Sequence, residues 1–201
     1  MKQKLLLALA VTGVAVLVAF GVWWAVAPHA SLVREGDMAP DFALPHYNLP
    51  ARHGTLAELR GEPVVLVRFD SRWPRTGAYL AELEKIHRRF LRDGLVVVGV
   101  AFDPAEEQRA LEYVLDNRNV TFTVLLDPGG AATGPAYGMP RDRPETYLID
   151  TAGRVRSIEL EPRAWTSQTA LSRLGALIPT PTPTPTPEST PSSLDRTRPG
   201  G

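Results

Sequence analysis

Few side chains in this sequence can do chemistry. Cysteine is absent from all 201 residues, so no thiolate exists for disulfide exchange or peroxide reduction. The four histidines are His29, His46, His53 and His87. His46 and His53 lie close together in one loop, a weak metal hint, and solvated loop histidines are the plainer reading; no metal or cofactor is expected. Ser71 has no neighbouring histidine and sits in no nucleophile elbow. Asp70 and Glu145 could form a carboxylate pair for acid–base work, although each has an arginine nearby to pair with instead. Arg72 and Arg75 share a loop, and Arg141 and Arg143 come just before Pro144. If the fold crowds them onto one rim near a helix N-terminus, they attract anions, with Asp70, Asp142 and Glu145 as a partial offset. The alternative is a scatter of solvated charges.

The elements that must position these residues are legible from periodicity. Val64–Phe69 is apolar at five of its six positions, the pattern of a strand covered on both faces. A polar loop follows, and after Pro74 the apolar residues Tyr79, Leu80, Leu83, Ile86 and Phe90 recur at helical spacing. Asp93-Gly94 turns the chain into a second apolar strand, Leu95–Phe102. Asp103-Pro104 then reads as the N-cap and first position of another helix. A third strand spans Phe122 to Asp127, and a short helix reaches Tyr137. Strands at Glu145–Asp150 and Arg154–Leu160 are joined by Thr151-Ala152-Gly153, a hairpin signal. A last amphipathic helix is expected to carry Trp165, Leu171, Leu174 and Leu177. Alternating strands and helices followed by a hairpin predict an α/β domain, with a mostly parallel sheet that gains an antiparallel edge.

The two ends have a different character. Lys2 and Lys4 precede an uncharged run from Leu5 to Ala27 that is long enough to span a bilayer and ends near Trp23 and Trp24. A cleaved signal peptide is the rival reading, but the best small-residue site, Ala25-Val26-Ala27, is followed by Pro28. The expectation is an uncleaved single-pass anchor in the cytoplasmic membrane, N-terminus inside and domain on the extracytoplasmic side. From Pro179 proline alternates with threonine, a disordered or polyproline extension. The chain therefore divides into an anchor at 1–30, a folded domain at 31–178 and a Pro/Thr-rich tail at 179–201. Zero net charge points away from nucleic acid.

Several segments, in order, carry a resemblance. They are Ala39-Pro40-Asp41-Phe42, Leu59-Arg60-Gly61-Glu62-Pro63-Val64, Gly94-Leu95-Val96-Val97-Val98-Gly99-Val100, Leu126-Asp127-Pro128, Tyr137-Gly138 and Pro144-Glu145-Thr146-Tyr147-Leu148-Ile149-Asp150. Together the region from about Gly36 to Ile178 resembles the membrane-anchored thioredoxin-like redoxins of the TlpA, ResA and DsbE type. These are exported thiol–disulfide oxidoreductases that often serve cytochrome c maturation. The resemblance implies a thioredoxin-like fold, a central mixed sheet flanked by helices. It also implies a cis peptide bond at Pro144, facing the active-site loop. Counted back without a gap from Leu83-Glu84-Lys85, the two family cysteines fall on Trp73 and Thr76, so that Trp73, Pro74, Arg75 and Thr76 form a vestigial motif. The family's tryptophan before the motif falls on Arg72, and its acidic residue after it falls on Tyr79. The approach to Pro144 is one residue longer than the family pattern.

With both thiols replaced, the resemblance implies ancestry without the ancestral activity. The expected function is that of a redox-inactive binding or accessory protein with no catalytic residues. An extracytoplasmic protein or peptide partner would sit in a groove formed by Pro144, Trp73, Arg72, Arg75, Arg143 and Glu145. Trp73 is expected to cover Pro144 and plug that groove; the competing picture has it pointing outward as an aromatic anchor. Two other roles stay open. One is an accessory to thiol–disulfide exchange or cytochrome c maturation in which partners supply the thiols. The other is a structural subunit of a membrane complex.

Overall fold

The computed structural model describes residues 32–140, 142–160 and 165–178. The expected anchor and tail lie outside these residues. Among those described, no helix is long and apolar enough to cross a membrane. In chain order the elements are β1 (Ala43–Pro45), β2 (His53–Thr55), β3 (Val64–Phe69), α1 (Thr76–Phe90), β4 (Val96–Ala101), α2 (Gln108–Asn117), β5 (Thr123–Leu126), α3 (Gly134–Tyr137), β6 (Glu145–Ile149), β7 (Val155–Glu159) and α4 (Gln168–Gly175).

Five strands form one sheet in the order β5-β4-β3-β6-β7, and β1 and β2 form a separate hairpin. β4 runs parallel to β3 and to β5, whereas β6 is antiparallel to β3 and to β7. This is the mixed sheet expected from the element order. β3 lies at its centre with all six residues buried. Alternate side chains of a strand face opposite sides. Val65, Val67 and Phe69 therefore pack on Leu80 and Leu83 of α1 and, through the same cluster, on Trp165 and Leu174. Val64 and Leu66 join the opposite layer with Phe42, Tyr137 and Tyr147. α1 ends where its last turn carries Arg88 and Arg89, cations at the negative pole of the helix. A short 3-10 turn follows, closed by Gly94 at φ 81, a conformation that glycine adopts without a Cβ clash.

Three local expectations need correction. Asp103 does not cap the next helix: a 3-10 turn at Ala105–Glu107 follows Pro104, α2 begins at Gln108, and the Asp103 carboxylate is drawn to Ser71. His46 and His53 do not share a free loop, because His53 opens β2 and is paired in register with Pro45. The three-residue strand β2 carries too little periodicity to be seen in sequence. Trp165 precedes α4 rather than lying within it, since Ser167 is the N-cap and accepts a hydrogen bond from the Ala170 amide.

Candidate functional site

The C-terminal end of β3 opens into the loop 70–75, and α1 leaves that loop. Arg75 is the N-cap residue of α1 and adopts φ 70, a left-handed conformation unusual for a residue with a Cβ. Its side chain is exposed and makes no capping bond. Thr76 is fully buried, and its hydroxyl donates to the Asp70 carbonyl at 3.0 Å. Pro74 is exposed and Trp73 half-buried. The Trp73 ring stands edge-on to Phe102, 6.4 Å between centroids, and Phe102 directly follows β4. Pro144 is buried at the head of β6.

The expected cis bond at Pro144 is not present: the described residues contain no cis peptide. An X–Pro bond favours trans by about 0.5–1 kcal/mol unless its surroundings select otherwise. Arg141 lies outside the described residues. Arg143 is exposed at the edge of the same region.

The two carboxylates find different arginines. Arg72 clamps Asp70 with Nη2–Oδ2 at 2.6 Å and Nε–Oδ1 at 2.9 Å, and its backbone amide donates to the same carboxylate. That side-chain clamp holds the Asp70 carboxyl below the usual carboxylate range. Glu145 instead accepts from Arg68 Nη1 at 3.2 Å and from the Tyr147 hydroxyl at 3.0 Å. Burial pushes its carboxyl up, with Arg68 and Tyr147 opposing.

Arg68 is the residue that sequence reasoning missed. It is completely buried near the C-terminal end of β3. Nη2 donates to the Gly138 carbonyl at 2.6 Å and to Thr133 Oγ1 at 3.3 Å, so one guanidinium joins β3, β6 and the segment around α3. The ring centroids of Phe102 and Tyr137 lie 4.9 and 5.2 Å from its central carbon, a cation–π arrangement with each. A signal was available: Arg68 and Glu145 are direct cross-strand partners, the lone cation and the lone anion of two apolar strands.

The remaining hydroxyls near the loop are also engaged. Ser71 donates from both its backbone amide and its hydroxyl to Asp103. The Tyr79 hydroxyl and Thr146 Oγ1 share a hydrogen bond of 2.6 Å that ties α1 to β6. No group of three or more metal-ligating side chains occurs among the described residues. The Ser71 and Thr76 hydroxyls are thus committed to the Asp103 carboxylate and the Asp70 carbonyl. The arrangement presents a half-buried indole, an exposed proline and exposed cationic side chains around a rigid support.

Burial also pushes the Asp103 carboxyl up, against the hydrogen bonds from Ser71. A carboxyl whose folded pKa exceeds its unfolded value of about 3.9 contributes stability that is full below that value and lost as pH rises through the folded pKa. Asp103→Asn, which cannot ionise, should therefore gain stability relative to the parent chain as pH rises from about 4 to about 7. Urea denaturation at several pH values measures this. A stability difference that stays constant with pH would contradict the burial argument.

A strand–loop–helix junction at the centre of a mixed sheet with helices on its faces defines a thioredoxin-like redoxin. The chain belongs to the AhpC/TSA family, whose family model matches residues 35–158. Among solved structures it is similar to a candidate thiol:disulfide interchange protein DsbE from Chlorobium tepidum. The identity is 25% and the TM-score 0.64, covering 73% of this chain and 99% of that one. A secreted Mycobacterium tuberculosis disulfide oxidoreductase homologous to Escherichia coli DsbE shares the fold at 23% identity and TM-score 0.56, covering 68% and 96% of the two chains. Peroxidoxin BcpB from the same organism shares it at 22% identity and TM-score 0.59, covering 72% and 98%. No curated protein matches the chain.

Proposed function

We propose that this chain is a redox-inactive redoxin, tethered to the extracytoplasmic face of a membrane, that works by binding a protein partner at the loop 72–75. One observation carries the reading. Where thiol chemistry would need an attacking sulfur there is an indole and a threonine, and the threonine hydroxyl is already committed to the Asp70 carbonyl. What the loop leaves available is Trp73, half-buried, with exposed Pro74 and Arg75 beside it. Tryptophan and arginine dominate the energetics of protein interfaces. Membrane tethering rests on the apolar run from Leu5 to Ala27 and the lysines before it.

A photo-crosslinking residue in place of Arg75, in the full chain in its native membrane, tests the reading. A discrete adduct is expected from that position and not from Tyr113, which is exposed on α2. No adduct at 75, or the same adduct at both positions, would count against a partner at this loop. The purified chain should neither reduce insulin disulfides nor consume peroxide above a buffer blank, because no sulfur nucleophile exists. Activity in a clean preparation would overturn redox inactivity.

A second reading has some support, since the Chlorobium structure is described as a thiol:disulfide interchange protein. In it, this chain positions partners that exchange thiols between themselves. A cysteine-rich or haem protein in the adduct would favour it.

A further inference from the structure

A cavity of about 120 Å³ lies between the β1–β2 hairpin and the sheet, in a part of the molecule that the reading above does not use. Phe42, Val98 and Leu125 are buried side chains on its wall, with Val96 beside them. His46, Arg52 and Glu58 also line it. β4 runs in register with β3, so that Val96 faces Val64 and Ala101 faces Phe69. The cavity therefore sits near the start of β4, roughly 10–16 Å along the strand from the loop that follows Phe69.

The charges at this cavity set it apart from the others. Among the described residues, the side chains of His46, Arg52 and Glu58 have no hydrogen-bond or ion-pair partner, and Arg52 and Glu58 do not pair with each other. A larger hollow of about 390 Å³ touches Arg156 and Arg173, but those cations are already bound to Asp150 and Glu159. Small-molecule sites combine an apolar floor with a few convergent polar groups that fix orientation. Here the floor is aliphatic and aromatic, and the polar groups are one guanidinium, one carboxylate and one imidazole.

We propose that this cavity binds a branched-chain α-amino acid as its zwitterion. The ligand carboxylate meets Arg52 and His46, its ammonium meets Glu58, and its side chain enters the apolar floor. A ligand with only a carboxylate would satisfy Arg52 and leave Glu58 facing it without a counter-charge. A ligand with only an amine would leave Arg52 in the same position. The volume selects the side chain: an engineered cavity of about 150 Å³ accepts benzene, and this smaller one fits a short branched aliphatic group. The missing Cβ of Gly54 keeps the space open, because a Cβ there would meet His46 Nε2 and a Leu125 methyl at 3.0 Å.

Calorimetric titration of the full chain, held in amphipol, with L-leucine tests the proposal. Binding is expected at about millimolar Kd or tighter. 4-Methylpentanoate lacks the ammonium and 3-methylbutylamine lacks the carboxylate; each should bind at least about tenfold more weakly, as should leucine to Arg52→Gln or Glu58→Gln. Both substitutions fall on exposed side chains and leave the core untouched. No leucine binding at about 10 mM, corresponding to a Kd weaker than that, would overturn the proposal. So would equal binding of leucine and 4-methylpentanoate, or unchanged leucine affinity in both variants.

Discussion

Arg68→Leu is expected to destabilise the fold by about 3–5 kcal/mol, the cost of removing one partner from a buried ion pair. The guanidinium is fully buried and the Glu145 side chain is 11% exposed. Leucine can replace some of the packing against Phe102 and Tyr137. It cannot replace the donors to Glu145, Thr133 and Gly138. The deficit should depend on pH. Burial already raises the Glu145 carboxyl, and without Arg68 its largest opponent is gone, leaving Tyr147 and the more distant charge of Arg143. A raised carboxyl contributes stability that is full below its unfolded pKa and lost as pH rises through the folded one. The deficit should therefore be largest near neutrality and shrink toward about pH 4, where Glu145 takes up a proton. Arg68→Met combined with Glu145→Gln should recover most of the loss, since a buried pair replaced as a whole by groups of similar volume is often near neutral. Urea titrations followed by tryptophan fluorescence provide the measurement. A single-variant loss under about 1 kcal/mol would mean that the pair is not the support described.

The second large effect is a gain of chemistry. The double substitution Trp73→Cys and Thr76→Cys should turn a chain without thiols into one that reduces insulin disulfides at least about tenfold faster than the parent. Position 73 is half-buried and open to a partner, whereas position 76 is fully buried as the first residue of α1. That asymmetry suits an attacking thiol followed by a resolving one. The positive end of α1 would favour the thiolate, and thiols in such a Cys-x-x-Cys arrangement reach pKa values of about 7 or lower. The substitution also removes the Trp73–Phe102 contact and the Thr76 hydrogen bond, so circular dichroism must show a folded variant. A folded double variant that neither forms a disulfide nor reduces insulin would mean that the gapless alignment of the vestigial motif is wrong.

The sheet and its helices could be read in advance because their signals are local. Val64–Phe69 declares a buried strand within six residues, and the apolar stripe of α1 declares a helix within four turns. The α/β order, the antiparallel β6–β7 edge and the family likeness all came from such stretches. The strand β2 and its pairing with β1 did not, because three residues show no period. The Asp103 cap failed for a different reason. Its residue type suited a helix N-terminus, but in the folded chain the two donors of Ser71 lie close by and compete for the same carboxylate.

By itself, the sequence determined what this protein lacks and what it is built on. A chain with no cysteine has no thiolate in any conformation, and its alternating strand and helix segments specify an α/β sheet domain whatever the surface does. Only the tertiary structure decided which charges meet. Arg68 and Glu145 lie 77 residues apart and become partners through the antiparallel register of β3 and β6. Asp70 was left to Arg72, two residues along the same loop, so no carboxylate pair formed. Local sequence encodes backbone periodicity, which acts over a few residues. The pairing of buried charges depends on strand order and register, which are set only when the whole sheet assembles.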